Sequence, residues 1–270
     1  MNDSPDIRLV AIDLDGTLLN DLRAVSSQTA AGLTRVADRG VKVVLASARP
    51  PRSVRHIYRE LKLETLQVNY NGAMIWNEPM FHVEHHQPLE PAIALKIIES
   101  ARQFCPAVLV SCEVFDRWIT DRVDPQYLTE TAKLFPPDAI TTVNQMCVEP
   151  VTKVLLMGPS EMITHLNPLL VQNHPDVCVL RSDPDLIQIM HRDVNKGAAL
   201  QTIARYYRVE MRHVMAIGDA ANDIPMLQAA GISIAMGNAS AEVKYAADWV
   251  APSNNDHGVH AALERYGLYS

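Results

Sequence analysis

Long apolar runs are missing from this sequence. No stretch approaches the roughly 18 consecutive hydrophobic residues of a membrane-spanning helix. The first ten residues carry three charges, Asp3, Asp6 and Arg8, in place of the apolar segment of a secretory leader. Cysteine is sparse: Cys105, Cys112, Cys147 and Cys178 lie far apart, with no C-x-x-C pair. Zinc ribbons and thioredoxin-like redox chemistry are therefore without support, and the four read as reduced, partly buried residues rather than a disulfide framework. An excess of basic charge is also absent. Lys and Arg total 24 against 31 Asp and Glu, a net charge of −7, which disfavours nucleic acid as the main partner. Internal repeats and low-complexity segments are lacking too. These absences leave the expectation of a cytoplasmic protein with no membrane partner.

What is present suits an ordinary globular protein. The 270 residues are 48% hydrophobic and 20% charged, enough for about two domains with real cores. Ile7–Ile12 reads as a buried strand running into a tight turn at Asp13-Leu14-Asp15-Gly16-Thr17. Ser26 or Ser27 can cap a helix that ends at Gly40, and Val41–Ala46 is a second buried strand. Pro50 or Pro51 opens a further helix with Val54, Ile57, Tyr58 and Leu61 on one face. This alternation predicts an α/β fold, a Rossmann-like parallel sheet with right-handed crossovers. Between about residues 80 and 188 the rhythm changes to strands with few helices, beginning with a hairpin around Asn77-Glu78-Pro79. The alternation then resumes with a helix from Lys196, a strand Val214–Ile217 and a helix Asp223–Ala230. The expected organisation is an α/β core of residues 1–79 and 189–270, with an α+β domain, 80–188, inserted in it.

Polar residues cluster where the predicted core strands end: Asp13 and Asp15, Ser47, and Asp219 with Asp223. Lys196 opens a helix shortly after another strand. Ligands of open α/β sheets bind beyond the carboxyl ends of the strands, so the fold gathers these distant residues. The turn at Gly16 lets Asp13 and Asp15 serve different ends, one on a metal and substrate, the other in proton transfer. Clustered carboxylates repel one another, and hard oxygen ligands with room for waters and a phosphate suit Mg2+. Ser47 and Lys196 suit the non-bridging oxygens of a phosphoryl group. Phosphoryl transfer is catalysed chiefly by positioning and charge neutralisation, and this inventory offers both.

In order and context, Asp13-Leu14-Asp15-Gly16-Thr17, Ser47, Asn195-Lys196-Gly197 and Gly218-Asp219-Ala220-Ala221-Asn222-Asp223 resemble the four motifs of the haloacid dehalogenase superfamily. The likeness is greatest to its Cof-type sugar-phosphate phosphatases, whose large α/β cap lies between the second and third motifs; Asn69-Tyr70-Asn71-Gly72-Ala73 also resembles that subfamily. The resemblance implies that Asp13 is the nucleophile that becomes an aspartyl phosphate, and that Asp15 is the acid and base. It implies Mg2+ held by Asp13, the main-chain carbonyl of Asp15, and Asp219. Ser47, Lys196 and Asn222 are then the phosphoryl ligands, with Asp223 orienting Lys196 or the metal's waters and Arg49, Asn71 and Gly72 in support. The implied substrate is a small phosphorylated metabolite. The cap is expected to close as a lid, with hinges near 69–73 and 184–195. Two departures stand out: Ser47-Ala48-Arg49 in place of Thr-Gly-Arg, and one extra residue in Asp256-His257-Gly258-Val259.

Plainer readings stand beside these. A single Asp at a strand end is more often a cap or turn residue than a nucleophile. His82, His85 and His86 read as exposed hairpin histidines rather than a zinc site, and Arg49 and Arg52 as solvated helix arginines. Two other functions stand as alternatives: a phosphomutase, which shares all four motifs, and a catalytically idle metabolite-binding or regulatory module, against which the complete motif set argues. Asp15 separates the chain from the superfamily's dehalogenases and cation pumps, which lack a carboxylate there.

Overall fold

A computed structural model describes residues 6–269. The chain divides into two compact units. One is formed by the residues up to Glu84 together with those from Asn195 onward, the other by His85–Val194.

In the first unit the strands are β1 (Leu9–Asp13), β2 (Lys42–Ala46), β3 (Leu66–Asn69), β4 (Met74–Asn77) and the start of β5 (His82–His86), whose last two residues fall past the unit boundary. The second contributes β6 (Leu109–Val114), β7 (Arg117–Thr120), β8 (Ala139–Ile140), β9 (Lys153–Met157), β10 (Val177–Asp183) and β11 (Leu186–His191). The chain then returns to the first unit with β12 (Val214–Gly218), β13 (Ile232–Ala235) and β14 (Trp249–Val250). The core sheet has the order β14-β13-β12-β1-β2-β3-β4-β5. It is parallel from β14 to β3, and β4 turns back antiparallel.

The core strands are buried on both faces, the pattern of a parallel sheet flanked by helices. Along β1, Val10 and Ile12 join one apolar cluster and Leu9 and Ala11 the other. The first cluster takes Leu33 and Val36 from helix Ser27–Asp38, Val54 and Ile57 from Pro51–Glu60, and Leu263 from Gly258–Arg265. The second takes Leu200 and Ile203 from Lys196–Tyr206 and Leu227 from Ile224–Ala229. Ser26 caps the first helix by accepting from the Thr29 N–H, and Pro51 occupies the first position of the next.

The second unit is an α+β layer. Its sheet has the order β10-β11-β9-β6-β7-β8, antiparallel apart from the β7–β8 pair. Helices Pro91–Phe104 and Ser160–Asn173 cover one face, against Val110, Cys112, Val154, Leu156 and Ile187.

The unit boundaries fall at 84/85 and 194/195 rather than 79/80 and 188/189. The edge hairpin of the core sheet is longer than its sequence pattern suggests, because Met80 and Phe81 belong to the turn and the second arm starts at His82. Its Asn77 side chain accepts from the Met80 N–H at 3.1 Å, and Phe81 takes φ 52°. At the far side β11 continues to His191 because Met190 and His191 pair with Cys178 and Val177 of β10. Strand β3 has no counterpart in the sequence reading: Leu-Gln-Val-Asn carries two buried polar residues, Gln67 and Asn69, which break the apolar run. His82 is exposed and pairs with Glu84 at 3.0 Å.

Ile12 lies in the middle of the core sheet and is inaccessible to solvent. Ile12→Ala is expected to lower the unfolding free energy by about 2–5 kcal/mol, the usual cost of a cavity at such a site. Denaturant titration measures it, and a loss below about 1 kcal/mol would show that this position is not the packed core described here.

Candidate active site

Parallel register brings the polar residues to one edge. Asp13 is aligned with Ala46, the residue before Ser47, and Ile12 with Ile217, two residues before Asp219. The carboxyl ends of β1, β2 and β12 therefore carry Asp13, Ser47 and Asp219 side by side, where a doubly wound sheet binds its ligands. Lys196 arrives from the start of its helix, whose cap is Asn195 accepting from the Ala198 N–H at 2.8 Å.

Lys196 is the centre of the arrangement. Its side chain is fully buried, and Nζ donates to Asp13 Oδ1 and to Asp223 Oδ1, each at 2.6 Å. Asp223 Oδ2 accepts from the main-chain N–H groups of Asp219 and Ala220, both at 3.0 Å. Both oxygens of Asp223 are thus engaged. It holds the ammonium with one and ties down the Asp219 turn with the other.

Asp219 is half-buried. Its Oδ1 accepts from the Thr17 hydroxyl at 3.0 Å and its Oδ2 from Asn238 Nδ2 at 3.3 Å. Asn238 also donates to the carbonyl of Gly16 at 2.8 Å, which ties β13's end to the turn after β1. Gly16 is required twice over: its φ is +78°, and a Cβ there would stand 2.3 Å from Asp219 Oδ2.

Burial holds the Asp13 carboxyl well above its ordinary range, reinforced by the Asp223 charge and opposed by Lys196. Asp219 is likewise raised, first by burial and then by Asp223, against the Thr17 hydrogen bond. Burial alone would depress Lys196, but the two carboxylates outweigh it and hold the ammonium above its usual value. Among the described residues, Asp13, Asp219 and Asp223 form a set that could hold a metal, with ligand oxygens within 4.8 Å of one another. Since Asp223 is occupied by Lys196 and two N–H groups, Asp13 and Asp219 are the better placed ligands. Their raised values mark them as carboxylates that a cation would relieve.

Asp15 points elsewhere. Its carboxylate is exposed and takes two hydrogen bonds from Arg49, Nε to Oδ2 at 2.8 Å and a terminal nitrogen to Oδ1 at 2.5 Å. Arg49 is therefore not the solvated helix arginine expected. It sits in the turn before helix Pro51–Glu60, which aims it at the β1 turn as a two-pronged clamp. Ser47 is buried, and its Oγ accepts from the Arg49 N–H at 3.1 Å. Asn71 donates its main-chain N–H to the Ser47 carbonyl, and its side-chain oxygen accepts from Asn222 Nδ2 at 2.9 Å. Thr17 and Asn238 escaped the sequence reading. Thr17 was visible within the first motif without a role, and nothing in Met236-Gly237-Asn238 signalled the contact to Asp219.

A fold of this topology with this carboxylate and lysine edge defines a class, and the comparisons agree. Residues 10–263 match the family model described as haloacid dehalogenase-like hydrolase. A Bacillus subtilis 5-amino-6-(5-phospho-D-ribitylamino)uracil phosphatase is 29% identical over 96% of this chain and 97% of its own. An HMP-PP phosphatase of Cronobacter sakazakii is 30% identical over 86% and 85%. A haloacid dehalogenase-like hydrolase from Bacteroides thetaiotaomicron superposes with a TM-score of 0.85 at 28% identity, covering 96% of this chain and 99% of that one. The chain belongs to the haloacid dehalogenase-like hydrolases, in their Cof-type branch. It is a phosphatase, a phosphoric monoester hydrolase. No helix among the described residues is long and apolar enough to cross a membrane.

Lys196→Met would leave two buried carboxylates facing one another. The expected cost is about 3–5 kcal/mol of stability, the usual penalty for breaking a buried ion pair from one side. Because Asp13 is held above its ordinary value, its protonated form adds stability that is complete at low pH and fades as pH rises through the folded-state value. Without the ammonium, which lowers Asp13, that carboxyl rises further. The variant therefore goes on losing stability at pH values where the wild type no longer does, and its deficit should widen between pH 5 and pH 8. Denaturation at both pH values tests this, and a constant deficit would contradict it.

Proposed function

We propose that this phosphatase hydrolyses the phosphate monoester of a small metabolite, sugar phosphates included, through a covalent phosphate on Asp13. The observation that carries the reading is the Lys196 ammonium, buried and 2.6 Å from Asp13 Oδ1. A nucleophilic carboxylate must be ionised, and burial opposes that; the neighbouring ammonium counters part of this rise.

One Asp13 oxygen attacks phosphorus, and the bond to the leaving oxygen breaks. Asp15 gives that oxygen its proton, so the alcohol departs neutral. Asp15 then takes a proton from the water that attacks the phospho-aspartate, which returns Asp13 and releases orthophosphate. Arg49 fixes the plane of the Asp15 carboxylate, so the proton is delivered from a set position. Lys196, Ser47 and Asn222 bind the phosphoryl oxygens, and Asp223 holds Lys196 in place. Asp13 and Asp219 fit Mg2+, together with the main-chain carbonyl of Asp15. When bound, the ion neutralises charge on the phosphoryl group. The relatives named above act on a ribityl phosphate and on HMP-PP, which agrees with a metabolite as substrate.

Asp13→Asn should abolish phosphate release from p-nitrophenyl phosphate and metabolite esters while circular dichroism stays unchanged; turnover above about one percent of wild type would refute the covalent route. Mg2+ is expected to raise the melting temperature of the wild type. The shift should grow from pH 5 to pH 8, because protons compete for Asp13 and Asp219 at higher pH than for ordinary carboxylates. An Asp219→Asn variant should lose most of it in the same thermal scan.

A further inference from the structure

Three consecutive residues between β3 and β4 adopt left-handed backbone: Tyr70 at φ 51°, Asn71 at 57° and Gly72 at 107°. Glycine does so without penalty and asparagine with little, but a buried tyrosine is strained there. Asn71 is itself 4% exposed, and its Nδ2 is buried without a hydrogen-bond partner among the described residues. An unsatisfied buried donor is a further cost, and such groups need an explanation.

What the segment gains is contact with three separate stretches of the chain. The Asn71 N–H donates to the Ser47 carbonyl at 3.0 Å. Its side-chain oxygen accepts from Asn222 Nδ2 at 2.9 Å, across 151 positions of sequence. Gly72 lies so close to Asn195, the cap of the Lys196 helix, that a Cβ would stand 2.4 Å from its carbonyl oxygen. Each of these neighbours adjoins or is a residue assigned above to the phosphoryl group.

A primary amide carries two N–H donors in one plane, so engaging one fixes the direction of the other. We propose that Asn71 is a positioning residue: its side-chain oxygen holds one N–H of Asn222 and thereby aims the second at the phosphoryl oxygens. This inference rests on the function proposed above. The strained backbone then has a purpose, since it carries the Asn71 oxygen to a point between the second and fourth motifs that an extended chain would miss.

Orthophosphate, titrated calorimetrically in the presence of Mg2+, is a suitable probe. Asn71→Gly keeps the left-handed backbone without strain and removes only the side chain. The wild type, N71G, N222A and the double variant form a cycle. Each single variant should weaken orthophosphate binding about tenfold, the worth of one hydrogen bond to a charged group, and the double variant should be no weaker than N222A. Binding by N71G within twofold of wild type, or losses that multiply in the double variant, would overturn the proposal. A wild type that binds orthophosphate but hydrolyses no ester would sink the proposed function and leave this comparison intact. A measurement on the unaltered protein serves should N71G not fold. The two side-chain protons of Asn222 should exchange with solvent at clearly different rates, and the faster one should shift on adding orthophosphate; equal rates would exclude a fixed amide.

Discussion

One ammonium group buried between two carboxylates governs the catalytic unit. Removing Lys196, Asp13 and Asp223 from water is costly, and replacing such a cluster with apolar side chains is often neutral or stabilising in proteins. Stability alone therefore does not account for it. In the proposed reaction the cluster has a chemical use: Asp13 has to turn negative in a place where burial favours the proton, and Lys196, at 2.6 Å, counters part of that bias. Asp223 sits on the other side of the ammonium and pulls it into line, while its second oxygen secures the Asp219 turn. A single side chain thus joins the orientation of the lysine to the placement of the carboxylate best suited to a metal.

Much of this was readable because strand ends announce themselves. Apolar runs such as Leu9–Ile12 and Val214–Ile217 stop at polar turns, and a parallel sheet places such stops on one edge. The motif order then fixed which stops belong together. Asp13, Lys196, Asp219 and Asp223 meet in the structure as a connected set, and Ser47 and Asn222 are tied to it through Asn71.

Other features left no trace in local pattern. Strand β3 is short and includes Gln67 and Asn69, so periodicity passes over it; only its pairing with β2 and β4 makes it a strand. Arg49 was read as a solvated residue of the following helix because one-dimensional spacing cannot show that the turn before that helix faces the β1 turn. Asn238 is likewise a long-range contact, 19 positions from Asp219 and 222 from Gly16, without any sequence signature. Tertiary hydrogen bonds between turns are the least legible class, since each turn looks complete when taken alone.

The same turns show how the fold sets the two aspartates apart. Asp13 ends a strand that is buried along its whole length, and it faces the interior ammonium. Asp15 lies two residues later, directly before Gly16, whose left-handed backbone leaves room for the Asp219 carboxylate and no more. That crowding is what lets the chain swing Asp15 out to Arg49 while keeping Asp219 against Thr17 and near Asp13. A nucleophile needs a dry, charge-compensated setting, and a proton shuttle needs access to water and to a leaving oxygen. The glycine that directly follows Asp15 helps give two carboxylates of the same type opposite surroundings, which is the condition for the division of nucleophilic and acid–base work in the proposed reaction.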